Sequence, residues 1–324
     1  MPDSPRKVAL EEHYLPPDYL DYWAPSVAGL PEKAIENLKR RLLDFGDERL
    51  ASMDKTGIGI AVLSLAGPGV QSEPDTAVAT RRAAESNDYL AKRMGEHPDR
   101  YRGFAHLAMQ DPNGAADELE RCVRELGFCG ALINGQTQGH YLDEDMYTPF
   151  WERAADLDAP IYLHPADPFR TYHALEGQLQ LRRPAWEWTV ETGTHALRMI
   201  FNGTFERHPG ATLVLGHMGE TIPYQLWRFD SRAAFNASPT KRKEPPSFYA
   251  RRNLKVTISG MCDLPPLQCA LDALGEGSVM YAADYPFEEP EAASEFLDNA
   301  PISESTREAV CWSNAATVFN IELS

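Results

Sequence analysis

The chain has 324 residues, with 31 Lys+Arg against 48 Asp+Glu and a formal charge of -17. So acidic a surface repels phosphate backbones and argues against nucleic acid as a partner, while a small anionic substrate stays open because a bound cation can reverse the local potential. At 43% hydrophobic and 24% charged residues the composition is that of a soluble globular protein, and no apolar stretch approaches the ~18 residues of a membrane span.

Short apolar runs recur along the chain, at 7–10, 58–65, 102–106, 129–133, 160–163, 212–216, 254–259 and 278–282. Most are rich in Val, Ile, Leu and Tyr and are continuous rather than alternating, the pattern of strands buried on both faces of a parallel sheet. Amphipathic stretches fall between them, at 79–96, 114–126, 147–157, 188–207, 222–235, 264–274 and 290–299, and a last one at 303–319 closes the chain. Asp111-Pro112-Asn113 marks a strand-to-helix turn and Pro209-Gly210 a helix-to-strand turn. This alternation predicts an α/β fold, a (β/α)8 TIM barrel forming a single catalytic domain over residues 1–324. An open doubly wound sheet would want a glycine-rich phosphate loop after the first strand, where Glu11-Glu12-His13 stands instead.

Two connections exceed ordinary loop length, 14–57 after strand 1 and 165–187 after strand 5. They carry Tyr19, Tyr22 and Trp23, and Phe169, Tyr172 and Trp186. Long loops in a compact domain are usually functional, so both are expected to roof a pocket on the C-terminal face; an oligomer contact is the alternative. Cys122, Cys129, Cys262, Cys269 and Cys311 form no C-x-x-C pair and are odd in number, which reads as reduced thiols in a cytoplasmic protein. Residues 1–14 lack the apolar core of a signal peptide.

Four predicted strand ends place ligand-type residues at the mouth where barrels do chemistry. Strand 1 ends in Glu11-Glu12-His13, strand 5 in His164-Pro165, strand 6 in Gly216-His217-Met218-Gly219-Glu220 and strand 8 in Asp284-Tyr285-Pro286-Phe287. Alternation puts Glu11 and His13 on one face of strand 1 and Glu12 on the other. A lone E-x-H pair or a lone histidine is more often a surface or core residue, but carboxylates and imidazoles at several strand ends together suit one Zn²⁺, Mn²⁺ or similar divalent ion. Strand 4 ends Ile133-Asn134-Gly135 without the lysine that a bridged two-metal site would use. His97, His140, His173, His195 and His208 are read as structural or solvated, and His106 as a core-edge histidine.

The segments KVALEEH, YLHPADP, LGHMGE, PYQLWRFDSR and ADYPFEE, in this order and spacing, resemble the metal-dependent hydroxybenzoate decarboxylase branch of the amidohydrolase superfamily, which includes gamma-resorcylate and 2,3-dihydroxybenzoate decarboxylases. The resemblance covers about residues 7–319. It implies that Glu11, His164 and Asp284 hold one divalent metal (Zn²⁺, Mn²⁺ or Mg²⁺), with His13 a further ligand or lining the site. His217 would sit beside the metal, paired with Glu220. Trp23, Asn134, Arg228 and Phe287 would line the pocket of a small aromatic carboxylic acid. The same resemblance implies a homo-oligomer, a dimer or tetramer. It departs from the pattern at Tyr285, where some relatives carry Trp, and in a shorter loop after strand 4.

The implied reaction is non-oxidative decarboxylation of a hydroxylated benzoic acid, of 2,6- or 2,3-dihydroxybenzoate or salicylate type, with Asp284 the proton donor and His217 and Glu220 a supporting pair. The rival readings are a lactone or amide hydrolase, a hydratase of an unsaturated acid, and an inactive barrel serving in assembly.

Overall fold

A computed structural model describes residues 6–235 and 242–322. Eight parallel strands follow one another round a barrel: β1 (Lys7–Tyr14), β2 (Ile58–Leu65), β3 (Tyr101–Ala105), β4 (Gly130–Asn134), β5 (Ile161–His164), β6 (Leu213–Leu215), β7 (Leu254–Thr257) and β8 (Val279–Met280). The seam closes where the Leu10 N–H donates to Tyr281 O at 3.3 Å and the His13 N–H to Tyr285 O at 2.7 Å. A (β/α)8 barrel is the fold, and the open sheet is ruled out because its edge strands would not meet.

The helices of eight residues or more are α1 (Glu32–Leu43), α2 (Asp47–Thr56), α3 (Thr76–Glu96), α4 (Pro112–Arg124), α5 (Thr148–Asp156), α6 (Glu187–Phe201), α7 (Ile222–Ala233), α8 (Pro246–Asn253), α9 (Leu264–Leu274) and α10 (Pro290–Asn299). Asp75 and Asp111 accept the Val78 and Gly114 N–H groups and so start α3 and α4. The predicted helix over 188–207 is broken at Gly203, which sits at φ +75°. The connection after β1 differs most from expectation: only its first part is a loop of short turns, and its second part folds into α1 and α2.

Inside the barrel, Val8, Leu10, Ile60, Val62, Phe104, Leu132, Tyr162, Val214, Met280 and Ala282 pack together, joined by Phe319 and Ile321 from the C-terminal tail. The alternate residues Ala9, Ala61, Leu63, Ala105, Ile133, Leu163, Leu215 and Val256 face the helices. One irregularity in β1 governs the site. Ala9 pairs with Ala61 but Glu12 with Leu63, so one extra residue has entered β1 between them. Without this bulge, the parity of Val8 and Leu10 would carry Glu12 inward and turn Glu11 and His13 towards the helices. With it, Glu12 takes the outer register beside Leu63 and His13 the inner register beside Ser64, the re-aiming of a side chain that bulges provide.

Candidate metal centre

Period-two alternation carries the inward parity to the strand ends, so Asn134 follows Leu132, His164 follows Tyr162 and Asp284 follows Ala282. The result is a polar layer over an apolar barrel. Glu11, His13, His164 and Asp284 each offer one ligand atom, and these atoms all lie within 4.8 Å of one another. His13 Nε2 stands 3.3 Å from Asp284 Oδ1, and His164 Nε2 3.5 Å from Glu11 Oε1.

Glu11, His164 and His13 are each held by their other polar atom. Tyr162 OH donates to Glu11 Oε2 at 2.7 Å, and Ser259 Oγ donates to the same oxygen. The His164 Nδ1–H donates to Pro165 O at 2.8 Å, which leaves Nε2 as the lone-pair nitrogen. Ser64 Oγ lies 3.0 Å from His13 Nδ1 and performs the same service there. Meanwhile Glu11 Oε1, His13 Nε2 and Asp284 Oδ1 are buried with no hydrogen-bond partner. Buried polar atoms left bare in this way are costly, and three of them converging with an imidazole nitrogen are what one divalent cation would satisfy. Gly216 makes the room: a Cβ there would stand 3.0 Å from Glu11 Oε2 and 3.2 Å from Glu11 Oε1.

His217 stands next to this group. Its Nδ1–H donates to Ser259 O at 2.9 Å and its Nε2 lies 3.7 Å from Glu11 Oε1. The expected pairing with Glu220 takes a different form: the Ser259 carbonyl orients the ring, while Glu220 is buried and acts on it through space. Burial works against the imidazolium, but the carboxylates of Glu11, Glu220 and Asp284 outweigh it and lift His217 to about 9. Asp284 is pushed up to about 7, by burial first and by the charge of Glu11 second. His217, Met218, Glu220, Thr221 and Asp284 all have positive φ, between +50° and +67°, strain of the kind that active-site turns store.

The remaining residues fall into place unevenly. Asn134 pairs in register with His164, and both atoms of its side-chain amide are buried without a partner. Phe287 packs edge-to-face on His13 with ring centroids 5.4 Å apart and is 39% exposed, as a residue at a pocket mouth would be. Trp23 is buried with its indole N–H unpartnered. Arg228 is not brought into the cluster: Leu226 turns to the core, and two residues on, about 200° round α7, Arg228 faces solvent. His106 is a core-edge histidine whose Nε2 accepts the Val70 N–H at 3.0 Å. Tyr162, Thr257, Ser259 and Ser64 were not singled out from the sequence. Their signal was there, since Tyr162 precedes His164 by two residues and Thr257 and Ser259 share a face at the end of β7.

The chain is similar to known proteins over nearly its whole length. The family described as amidohydrolase matches residues 15–321, so Glu11 and His13 lie just ahead of the matched span. A gamma-resorcylate decarboxylase of Rhodococcus jostii (strain RHA1) is 42% identical over 98% of this chain and 99% of its own. A crystal structure of 2,6-dihydroxybenzoate decarboxylase complexed with 2,6-dihydroxybenzoate superposes with a TM-score of 0.93 at 38% identity, covering 98% of this chain and 100% of that one. A dihydroxybenzoic acid decarboxylase from Polaromonas sp. JS666, solved with bound manganese and the inhibitor 2-nitroresorcinol, superposes with a TM-score of 0.92 at 39% identity, covering 98% and 97%.

Proposed function

The chain belongs to the amidohydrolase family, and from that membership we propose that it is a metal-dependent carboxy-lyase that converts an ortho-hydroxylated benzoic acid to the phenol and CO₂. The observation that carries this reading is the convergence of Glu11 Oε1, His13 Nε2 and Asp284 Oδ1, buried and bare, at one mouth of the barrel. The names of the relatives favour 2,6-dihydroxybenzoate as the substrate class.

Decarboxylating an aromatic ring requires a sink for the electron pair of the breaking C–C bond. Protonating the carboxylate-bearing ring carbon provides it: the C–H bond forms, the C–C bond then breaks, and its electrons restore aromaticity as CO₂ leaves. Glu11, His13, His164 and Asp284 would hold one divalent cation, which when bound supplies Lewis-acid stabilisation of the substrate's oxyanions. Asp284 is the proton donor. In the cation-free centre a carboxyl raised to about 7 can hold its proton near neutral pH; a bound cation would favour its anion, so proton donation would call for Asp284 to stand off the ion. His217 Nε2 is placed beside Glu11 to bind the phenolic oxygen or return a proton to Asp284. Asn134, Trp23 and Phe287 line the ring's binding space.

We assign the described residues to one catalytic domain. Association into a homo-oligomer is part of the same reading, supported by α7, which exposes Tyr224 at 83% and Trp227 at 77%. A cytoplasmic location is supported by the five free cysteines; no helix among the described residues is long and apolar enough to cross a membrane.

The test is incubation of the Mn²⁺-loaded protein with salicylate and the dihydroxybenzoate isomers, with CO₂ release and product mass as readouts. Loss of CO₂ from 2,6-dihydroxybenzoate supports the reading. A product gaining water from a lactone, amide or unsaturated acid, with every benzoate unchanged, would replace it with the hydrolase or hydratase alternative.

A further inference from the structure

Three of the four ligand-type residues lie on the two sides of the barrel seam, Glu11 and His13 on β1 and Asp284 just beyond β8. That seam is the thinnest part of the sheet. β8 has two regular residues, Val279 and Met280, and near the ligands the two sides are joined by the His13 N–H to Tyr285 O bond, part of an isolated bridge between Glu12 and Tyr285, and by the Ala283 N–H, which donates to Glu12 Oε1 at 3.1 Å. A slip here would move Asp284 away from Glu11 and His13 together.

The outer side of the seam is braced by two arginines from the helical part of the β1 connection. Arg41, on α1, places its guanidinium 4.4 Å from the centroid of the Tyr285 ring, and Arg49, on α2, places its own 4.6 Å from it. Both arginines are buried, at 7% and 2% exposure. Arg49 Nη2 donates to His13 O at 2.6 Å and Arg49 Nε to Asp44 O at 2.8 Å. Arg41 Nη1 donates to Pro286 O at 3.3 Å, and its fork is held by Glu289 at 2.8 and 3.0 Å. One guanidinium therefore touches both sides of the seam, the carbonyl of a ligand residue on β1 and the ring next to Asp284. The other ties the same ring to the segment that follows it. Desolvated guanidinium–aromatic contacts are among the stronger side-chain interactions, and Tyr285 receives two.

We propose that Arg41 and Arg49 are positioning residues of the metal centre, gripping Tyr285 so that Asp284 stays in register with Glu11 and His13. The inference rests on the metal site of the proposed function but not on its substrate. Groups that orient metal ligands typically change metal affinity or activity by about 10- to 100-fold when removed. The test is Mn²⁺ titration of the chelator-stripped full chain by calorimetry, without substrate, followed by kcat and KM on the most active benzoate. Arg49→Met is expected to weaken Mn²⁺ binding by about tenfold or more and to lower kcat with little change in KM. Tyr285→Leu should do the same, and Tyr285→Phe, which keeps the ring, should restore the parent affinity. A folded Arg49→Met protein that binds Mn²⁺ within about twofold of the parent would overturn the proposal. Should Arg49→Met fail to unfold cooperatively, Arg41→Met decides: about fivefold weaker Mn²⁺ binding upholds the clamp, and parental affinity overturns it. Because Mn²⁺ affinity is read without substrate, a chain that decarboxylates none of the benzoates leaves this result intact.

Discussion

The hydroxyl of Tyr162 reaches from β5 to Glu11 on β1 and donates to Oε2 at 2.7 Å, which fixes Oε1 as the oxygen turned to the cluster. A phenylalanine keeps the ring in the barrel interior but leaves Glu11 held by Ser259 alone. Tyr162→Phe is therefore expected to fold and to bind Mn²⁺ about tenfold more weakly, measured by calorimetric titration. Unchanged affinity would mean that the hydroxyl serves only to satisfy the barrel interior.

Asp284→Asn removes both a charge from the centre and the acidic proton. Turnover should fall by at least about 10²-fold, the usual scale of a general acid's contribution, while the far-ultraviolet circular dichroism stays that of the parent. Near-parental CO₂ release from this variant would rule out Asp284 as the proton donor.

His217 is oriented by the Ser259 carbonyl and lifted to about 9 in the cation-free centre by the surrounding carboxylates. Replacing it with glutamine keeps a polar side chain but no proton that titrates. Steady-state assays of His217→Gln should show kcat down by about 10² or more, with the loss not recovered at any pH between 6 and 9.

Stripping the cation with a chelator leaves Glu11, His13 and Asp284 with bare buried atoms. Activity should vanish and return on adding Mn²⁺, Zn²⁺ or Mg²⁺. The melting temperature should rise with added cation, because a ligand that binds only the folded state stabilises it, by about 2.7 kcal/mol at a hundredfold excess over Kd. A melting curve indifferent to the ion would argue against the site.

Acid should destabilise the fold through two buried histidines outside the metal cluster. Burial pushes His106 and His195 down to about 3, and His195 Nε2 accepts the Leu142 N–H at 2.8 Å. Between the ordinary imidazole value of 6.5 and about 3 the unfolded chain binds protons that the native chain refuses, so stability is complete above this window and falls as pH drops through it. Each histidine adds a slope of up to ~1.4 kcal/mol per pH unit. Urea midpoints from pH 7 to 4.5 should fall less steeply for His195→Gln, whose carbonyl can still accept from Leu142; equal slopes would show that His195 does not carry the effect.

Much of this protein was readable in one dimension. The continuous apolar runs specified buried parallel strands, and the ligand residues stand where those runs end, because a parallel barrel turns every strand's C-terminal end to the same mouth. The apolar pattern of the first strand stops at Leu10, but the strand was read on through Glu11-Glu12-His13, and it does continue through these polar ligands to Tyr14. Spacing put Glu11 and His13 on a common face, but which face was a tertiary decision. Parity with Val8 and Leu10 pointed outwards, and the bulge opposite β2 reversed it. Ladder register depends on the partner strand, which no local pattern contains. The same holds for the grip of Arg41 and Arg49 on Tyr285, for the carbonyl of Ser259 in place of Glu220 beside His217, and for the outward turn of Arg228. Sequence determined which side chains were available and how each strand alternates; only the closing of the barrel decided which of them meet.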